Sequence, residues 1–355
     1  MHDTLTDAAP VTWGSMLRRL LAGHDLSADA AAWAMGQVVR GEASPARLAA
    51  LLVALRAKGE TAAEIGGFAA ALLDAAAAVP VPGPTLDIAG TGGDGTNAVN
   101  ISTMAAIVAA AAGARVVKHG GRAASATSAG SADLVEQLGV PLDLPAAEHA
   151  AVATEAGITF LFAAQVHPGM RHASPVRREL GVPTVFNALG PLINPARPTH
   201  RLVGVADARL LPLLAEALRA GGARALVVRG DDGLDKLSTA TTSQVYTVSG
   251  GTTRRETFDP AALGIPRPAP GALRGGDAGA NARVVHALLA GQAGPVRDAV
   301  LLNAAAALTV AGDGDAPLAE RLCPHLDRCA AAVDSGAAAT TLERWVAAAR
   351  SRRNA

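Results

Sequence analysis

Asp87-Ile88-Ala89-Gly90-Thr91-Gly92-Gly93-Asp94-Gly95, followed by Asn100-Ile101-Ser102-Thr103, is the stretch of this chain whose residue types and spacing best suit chemistry. A short apolar run leads into small, turn-forming residues, and a helix-like apolar segment from Met104 to Gly113 follows. Strand, glycine loop and helix start together make an anion site. Glycine lets the backbone approach a ligand, and the free N–H groups at a helix start point at negative charge. Ser102 and Thr103 add hydroxyls that can cap the helix or touch a phosphate or a metal. Gly90-x-Gly92-Gly93-x-Gly95 does not have the Gly-x-Gly-x-x-Gly spacing of a dinucleotide fold, and no Gly-Lys-Ser/Thr closes it as in a P-loop. The loop therefore points to phosphate and not to a nucleotide coenzyme. A plain turn between two elements is the competing reading.

Three further constellations carry reactive groups. Lys118-His119-Gly120-Gly121-Arg122-Ala123-Ala124-Ser125 packs two cations, a titratable histidine and two glycines into eight residues. At a strand end it would clamp a polyanion such as a pyrophosphate. The alternative is a solvated basic turn, but the chain has only three lysines, Lys58, Lys118 and Lys236, so Lys118 is poor surface filler. Ser128, Gly130 and Ser131 continue a polar loop suited to another phosphate nest. His167-Pro168-Gly169-Met170-Arg171-His172, running on to Arg177-Arg178-Glu179, could hold a carboxylate through an arginine fork, although by itself it reads as a charged helix face. Gly230-Asp231-Asp232-Gly233-Leu234-Asp235-Lys236-Leu237-Ser238 follows the apolar run Ala225–Val228. Carboxylates at the C-terminal end of a strand are where an open α/β sheet places metal and phosphate chemistry, with an Asp-Gly turn as the local competitor.

These groups need a scaffold, and the chain provides one in two parts. Residues 12–77 read as consecutive helices. Ser27 caps one that stops before Gly41, Ser44-Pro45 opens the next, Gly59 closes it, and Thr61 starts a fourth. Pro80-Val81-Pro82-Gly83-Pro84 reads as a stiff linker. Beyond it, short β-rich runs (Ala114–Val117, Thr159–Phe162, Leu202–Val205, Ala225–Val228) alternate with helical patterns, which implies crossovers and a largely parallel sheet. A polar helical patch from about 172 to 194 interrupts the alternation and is expected to rejoin the first helices. The stretch from Ala280 to Ala349 reads as helical and the tail 351–355 as disordered. The expected architecture is α/β, a helical domain over 1–80 and a larger α/β domain over 81–355, with the ligand between them.

Bulk composition narrows the function. The 355 residues carry 31 basic and 31 acidic side chains, a formal net charge of zero, which gives no electrostatic case for nucleic acid or an acidic membrane. Aromatic residues are only 3%, so the core must be built from alanine, leucine and valine. No run reaches the roughly 18–20 apolar residues of a membrane helix. Met1-His2-Asp3-Thr4 does not open a signal peptide, and together these features point to the cytoplasm. Cys323 and Cys329, with His325 between them, lack a usual zinc spacing and read as reduced thiols.

Taken together, the motifs resemble those of the anthranilate phosphoribosyltransferase family along almost the whole chain. The resemblance rests on Gly90–Gly95, Asn100–Thr103, Val117-Lys118-His119-Gly120, Arg177-Arg178-Glu179-Leu180-Gly181, Phe186–Pro195 and Asp232-Gly233-Leu234-Asp235, in this order. It implies a fold shared with pyrimidine nucleoside phosphorylases, a homodimer joined through the helical domains, and a step of tryptophan biosynthesis. In that step the amine of anthranilate attacks C1 of phosphoribosyl pyrophosphate (PRPP) and pyrophosphate leaves. It also implies Mg2+ as cofactor. By resemblance the PRPP site comprises Gly90, Gly93, Asp94, Ala98, Asn100, Ile101, Ser102, Thr103, Lys118, His119, Gly120, Arg122, Ser125, Ala126 and Ser131. Gly90, Gly121 and Arg177 would face anthranilate, with Arg177 on its carboxylate. Ser102 and Asp235 would ligate magnesium, with Lys236 at the family's glutamate position.

Four departures from the family pattern stand out. Gly121 replaces an asparagine that contacts anthranilate, Ala98 replaces a threonine, one extra residue lies between Ser125 and Asp133, and Lys236 replaces a magnesium-binding glutamate. The last changes the local charge by two units, and an ammonium cannot ligate a metal. They define a divergent paralogue with altered magnesium use and an altered acceptor side. Two other readings compete with transfer to anthranilate: transfer to another aminobenzoate, and a catalytically weak binding or regulatory protein.

Overall fold

The computed structural model describes residues 11–123, 129–312 and 314–353. Four helices come first: α1 (Trp13–Leu21), α2 (Ala28–Val39), α3 (Pro45–Lys58) and α4 (Ala62–Asp74). Their boundaries follow from local chemistry. The Ser27 and Ser44 hydroxyls accept the backbone N–H groups of Ala30 and Arg47. Pro45 supplies a preset first turn, and Gly59 ends α3 at a φ of 91°, which glycine adopts without a Cβ penalty. Thr61 and Glu64 cap α4 reciprocally. Each cap is worth about 1 kcal/mol.

The remaining chain builds one seven-stranded sheet: β1 (Leu86–Gly90), β2 (Val116–Gly120), β3 (Ile158–Phe162), β4 (His200–Gly204), β5 (Arg224–Gly230), β6 (Ser243–Ser249) and β7 (Thr252–Phe258). Helices α5 (Ile101–Ala111), α6 (Ser131–Gln137) and α7 (His149–Ala156) lie between β1 and β3 in sequence. Helices α8 (Ala163–Val166), α9 (Ser174–Leu180) and α10 (Phe186–Leu189) precede β4, and α11 (Leu210–Ala220) joins β4 to β5. Four helices, α12 (Ala278–Leu289), α13 (Pro295–Thr309), α14 (Leu318–Asp334) and α15 (Ala337–Arg353), close the chain. The spatial order is β3-β2-β1-β4-β5-β6-β7, with β1 to β5 parallel and β6 and β7 an antiparallel edge. The chain runs outward from β1 to β3, then returns to pair β4 with the other side of β1. This reversal is a topological switch point, and open α/β sheets bind ligands outside the C-terminal strand ends there.

The parallel strands are buried on both faces, and polar residues among them, Asp87, Lys118 and His119, are buried too. One face packs Ile88, Val116, Ile158 and Leu226 against α5, α6, α7 and α12 to α15. The other packs Val203, Val205, Ala225 and Val227 into the same apolar cluster as α1 to α4, α11 and Ala173, Val176, Phe186 and Leu189 of the 172–194 segment. A salt bridge ties the two blocks: Arg209 at the start of α11 donates to the buried Glu60 at 2.6 Å. The tail departs from its expected disorder, because α15 runs to Arg353. Arg352 pairs with Glu148 and Glu155, and Arg353 with Asp143. Cys323 is exposed and Cys329 buried, both as free thiols on α14.

Candidate active site

The glycine loop leaves β1 at the switch point. Gly92, Gly93 and Gly95 take φ values of 65°, 73° and 69°, which a side chain rarely allows, and Asn97 follows at 50°. Gly92 N–H is taken by Asp235, and the N–H groups of Gly93 and Gly95 have no partner among the described residues, which suits them to an anion. The Asp94 carboxylate folds the loop over itself, accepting Thr96 N–H at 3.0 Å and the Thr96 hydroxyl at 2.9 Å. The far end of the loop is anchored where Ala98 bridges to Arg274 and Asn100 accepts from Asn281 at 2.7 Å. Asn100 in turn donates to the Ala129 carbonyl at 2.8 Å. The helix α5 starts here. Ile101 and Thr103 are buried in its first turn, whereas the Ser102 hydroxyl has no hydrogen-bond partner among the described residues.

β2 delivers Lys118 and His119 beside the loop. Lys118 is 2% exposed and donates to the Ile88 carbonyl at 2.6 Å. Asp87 on β1 organises this layer: its carboxylate accepts the His119 N–H at 3.2 Å and the Asn194 amide at 2.9 Å. Burial pushes the Lys118 ammonium down to about 8, against an opposing pull from Asp87. Burial and the neighbouring His167 ring push His119 down to about 3, so His119 is neutral at physiological pH. Its Nδ1 meets the Gly190 carbonyl at 3.2 Å, and its ring packs edge-on to His167 with centroids 5.3 Å apart. Gly120 is needed for close approach, because a Cβ there would overlap the Ser131 hydroxyl at the start of α6.

The segment after β5 brings Asp235 back to the glycine loop. Asp231 and Asp232 stay in the turn. Asp231 accepts from Thr242 and Asp232 from Leu234 N–H and Ser238, so of the three only Asp235 enters the site. Asp235 is buried against β1 and β4: a Cβ on Gly90 would overlap its carboxylate, and one on Gly204 its carbonyl. One Asp235 oxygen accepts Gly92 N–H at 2.8 Å and the other is ion-paired with the Lys236 ammonium, which lies 3.7 Å from Asp94. Asn303 on α13 locks the following residue by bonding both the N–H and the carbonyl of Leu237 at 3.0 Å. Burial alone would lower Lys236, but Asp235 and Asp94 carry it above its ordinary value, so it is an ammonium.

On the other flank Arg177 of α9 is half-buried, with its guanidinium 4.8 Å from the centre of the Phe186 ring. No carboxylate pairs with it among the described residues. Arg122 is placed differently from its expected role on the phosphates: its guanidinium is engaged by Asp133 and Glu136, both at 2.8 Å, and lies over Phe162. Among the described residues nothing lies within 4 Å of where a Cβ on Gly121 would point. Ser125 and Ala126 lie outside the described residues. Sequence reading did not single out Asp87, Asn194, Asn281 or Asn303 as site-builders. Only the position of Asp87 at the head of the loop motif, and of Asn194 within Phe186–Pro195, offered a signal.

A divalent cation fits one part of this site and not another. Magnesium usually takes one or two protein oxygens together with substrate phosphates and water. The unengaged Ser102 hydroxyl at the start of α5 beside the anion nest suits that role. The Asp235 and Lys236 pair does not, because both Asp235 oxygens are occupied and the ammonium has no lone pair. Asp235, expected to ligate magnesium, is ion-paired with Lys236.

The Lys118 value has a direct consequence. An anion bound beside Lys118 requires the ammonium, which the free protein keeps below pH 8 and loses above it. The affinity for a polyphosphate is therefore expected to be flat from pH 6.5 to 7.5 and to fall above pH 8, approaching about tenfold per pH unit. His119 contributes nothing to that slope, because it stays neutral throughout. Calorimetric titrations across this range check it, and an affinity unchanged to pH 9.5 would be inconsistent with Lys118 as the phosphate cation.

Comparison with known proteins agrees with this geometry. Residues 82–339 match the model for the glycosyl transferase family, a/b domain, and residues 15–76 the helical bundle domain of the glycosyl transferase family. The chain is 54% identical to the anthranilate phosphoribosyltransferase of Thermobifida fusca, covering 96% of this chain and 98% of that protein. It is 55% identical to that of Nocardioides sp., covering 95% and 98%. Among solved structures, anthranilate phosphoribosyltransferase from Thermus thermophilus superposes with a TM-score of 0.87 at 43% identity, covering 94% of this chain and 99% of that one. The Saccharomyces cerevisiae enzyme in complex with PRPP and Mg gives 0.86 at 28% identity, covering 97% and 99%. A glycine loop and a buried lysine at one switch point, on a scaffold shared end to end with these proteins, place the chain in the anthranilate phosphoribosyltransferase family.

Proposed function

We propose that this protein transfers the 5-phosphoribosyl group of PRPP to the amine of anthranilate and releases pyrophosphate, as a cytoplasmic enzyme of tryptophan biosynthesis. The reading is carried by the glycine loop and Lys118 side by side at one switch point, and by full-length relatives of that name. The C1–oxygen bond to pyrophosphate breaks, the C1–nitrogen bond forms, and the amine gives up a proton. The centre at C1 becomes cationic and the leaving group gains charge, so catalysis rests on neutralising and aligning charges more than on a strong base. The backbone N–H groups at Gly93 and Gly95 and the Lys118 ammonium hold the diphosphate, with Asn100, the start of α5 and Ser131 around it. Asp94 and Asp235 fix the loop. Arg177 receives the anthranilate carboxylate, and neutral His119 forms part of the wall of the acceptor side. The Ser102 hydroxyl would hold magnesium, which when bound would neutralise charge on the leaving group.

The division falls near residue 80, into a helical domain over 1–80 and an α/β domain over 81–355. Exposed Leu21 on α1, Val53 on α3 and Val182 after α9 lie on the helical block and support docking of a second copy there. Light scattering at twice the chain mass is the expected result. Among the described residues no helix is long and apolar enough to cross a membrane.

A second reading concerns the acceptor. Open space at Gly121 favours a broader pocket than an asparagine would leave. Pyrophosphate release is expected with anthranilate, and to a smaller extent with substituted anthranilates. Gly121→Asn, which meets no steric obstacle, is expected to lower the KM for anthranilate about threefold or more, roughly the 0.6 kcal/mol of one modest hydrogen bond. If anthranilate is not turned over but another aminobenzoate is, the acceptor assignment fails while PRPP use stands.

A further inference from the structure

We propose that Lys236 is a built-in cation of the diphosphate site that stands in for one divalent ion, so that PRPP binding to this protein is linked to one magnesium fewer than a carboxylate at 236 would require. The proposal rests on the PRPP reading above. Its basis is the placement of three charged groups in the mouth of the glycine loop. The side chains of Asp235, Asp94 and Lys236 are 3%, 14% and 16% exposed, and the ammonium is ion-paired with the first and lies 3.7 Å from the second. None of the three is free to swing away. Asp235 is bonded to Gly92 N–H and pressed between Gly90 and Gly204, Asp94 is folded onto Thr96, and Asn303 clamps Leu237.

The chemistry follows from charge. Two carboxylates alone at the edge of an anion site would repel a diphosphate unless a metal bridged them. With the ammonium between them their charge falls from two to one, and Lys118 stands close enough for the two lysines to interact electrostatically. Of the three lysines in the chain, two are therefore at this one site. An ammonium held at one position by two acids is preorganised and needs no ion from solution. It also disfavours a divalent cation at that position, because both Asp235 oxygens are already engaged by Gly92 N–H and the ammonium, and the positive charge repels the ion.

The test compares the full-length protein with Lys236→Glu and Lys236→Met. PRPP binding is measured by calorimetry over free magnesium from EDTA-buffered zero to 10 mM, and the Mn2+ retained in the PRPP complex is counted by electron paramagnetic resonance. Thermal melts confirm that each variant folds. The expected result is a wild-type affinity that depends on magnesium with a slope one ion lower than in Lys236→Glu, and one Mn2+ fewer in the complex. At submillimolar magnesium Lys236→Glu is expected to bind at least about tenfold more weakly, the scale of one charge-assisted contact, and to recover as magnesium rises. Lys236→Met is expected to lose affinity at every magnesium concentration. Equal slopes and equal Mn2+ counts for wild type and Lys236→Glu overturn the proposal and leave the PRPP reading intact. A wild-type protein that binds no PRPP at any magnesium concentration overturns both.

Discussion

Lys118→Met is expected to weaken PRPP binding about a hundredfold and to destabilise the fold by about 3 kcal/mol. The side chain is buried, bonded to the Ile88 carbonyl, and is the cation that acts most strongly on Asp87. A charge-assisted contact to phosphate is worth about 1.5–3 kcal/mol, which sets the affinity loss. Removing the cation that acts most strongly on the buried Asp87 leaves that carboxylate less compensated, and losing one partner of a buried charge pair costs about 3–5 kcal/mol. The lower end applies, because Asp87 keeps its bonds from Asn194 and His119. Calorimetry and urea denaturation separate the two effects. The double variant Asp87→Asn with Lys118→Met should regain part of the stability and none of the affinity. Recovery of both would mean that Lys118 acts only through the fold.

Gly90→Ala is expected to lower kcat/KM by about a hundredfold while changing stability by about 1–3 kcal/mol. The φ of Gly90 is not in the left-handed region, so the cost is one of space. The new methyl would overlap the Asp235 carboxylate, which cannot retreat without releasing Gly92 N–H or Lys236. Overpacking by one methyl accounts for the stability change. A shift of about 1 Å in the groups that align the reacting centres accounts for the rate. A kcat/KM within threefold of wild type would show that the Asp235 clasp does not position the loop.

The sequence was most legible where a local rule governs. Ser27, Ser44-Pro45 and Thr61 announced three helices, and each caps its helix through its own hydroxyl. The glycine loop was legible because positive φ has few sequence solutions. The β6–β7 hairpin was not singled out, although Gly250-Gly251 between two runs is a recognised hairpin turn. β7, Thr-Thr-Arg-Arg-Glu-Thr-Phe, is polar and mostly exposed, so it lacks the apolar alternation that marks a strand. The roles of Asp231, Asp232 and Asp235 were indistinguishable in sequence, because what separates them is the turn that consumes the first two. Asn194 reaches Asp87 across 107 residues, and Lys236 reaches Asp94 across a comparable span. Nothing local encodes either meeting; the strand order does. Arg122 looked like a phosphate ligand beside Lys118, and the acids of α6, eleven and fourteen residues on, hold it instead.

Anthranilate fluorescence followed after mixing the purified protein with PRPP and magnesium tests the central claim most directly. The expected result is a loss of fluorescence that requires both PRPP and protein, with one pyrophosphate released for each anthranilate consumed. Unchanged fluorescence with PRPP intact, in a protein whose thermal melt shows it folded, would contradict the account.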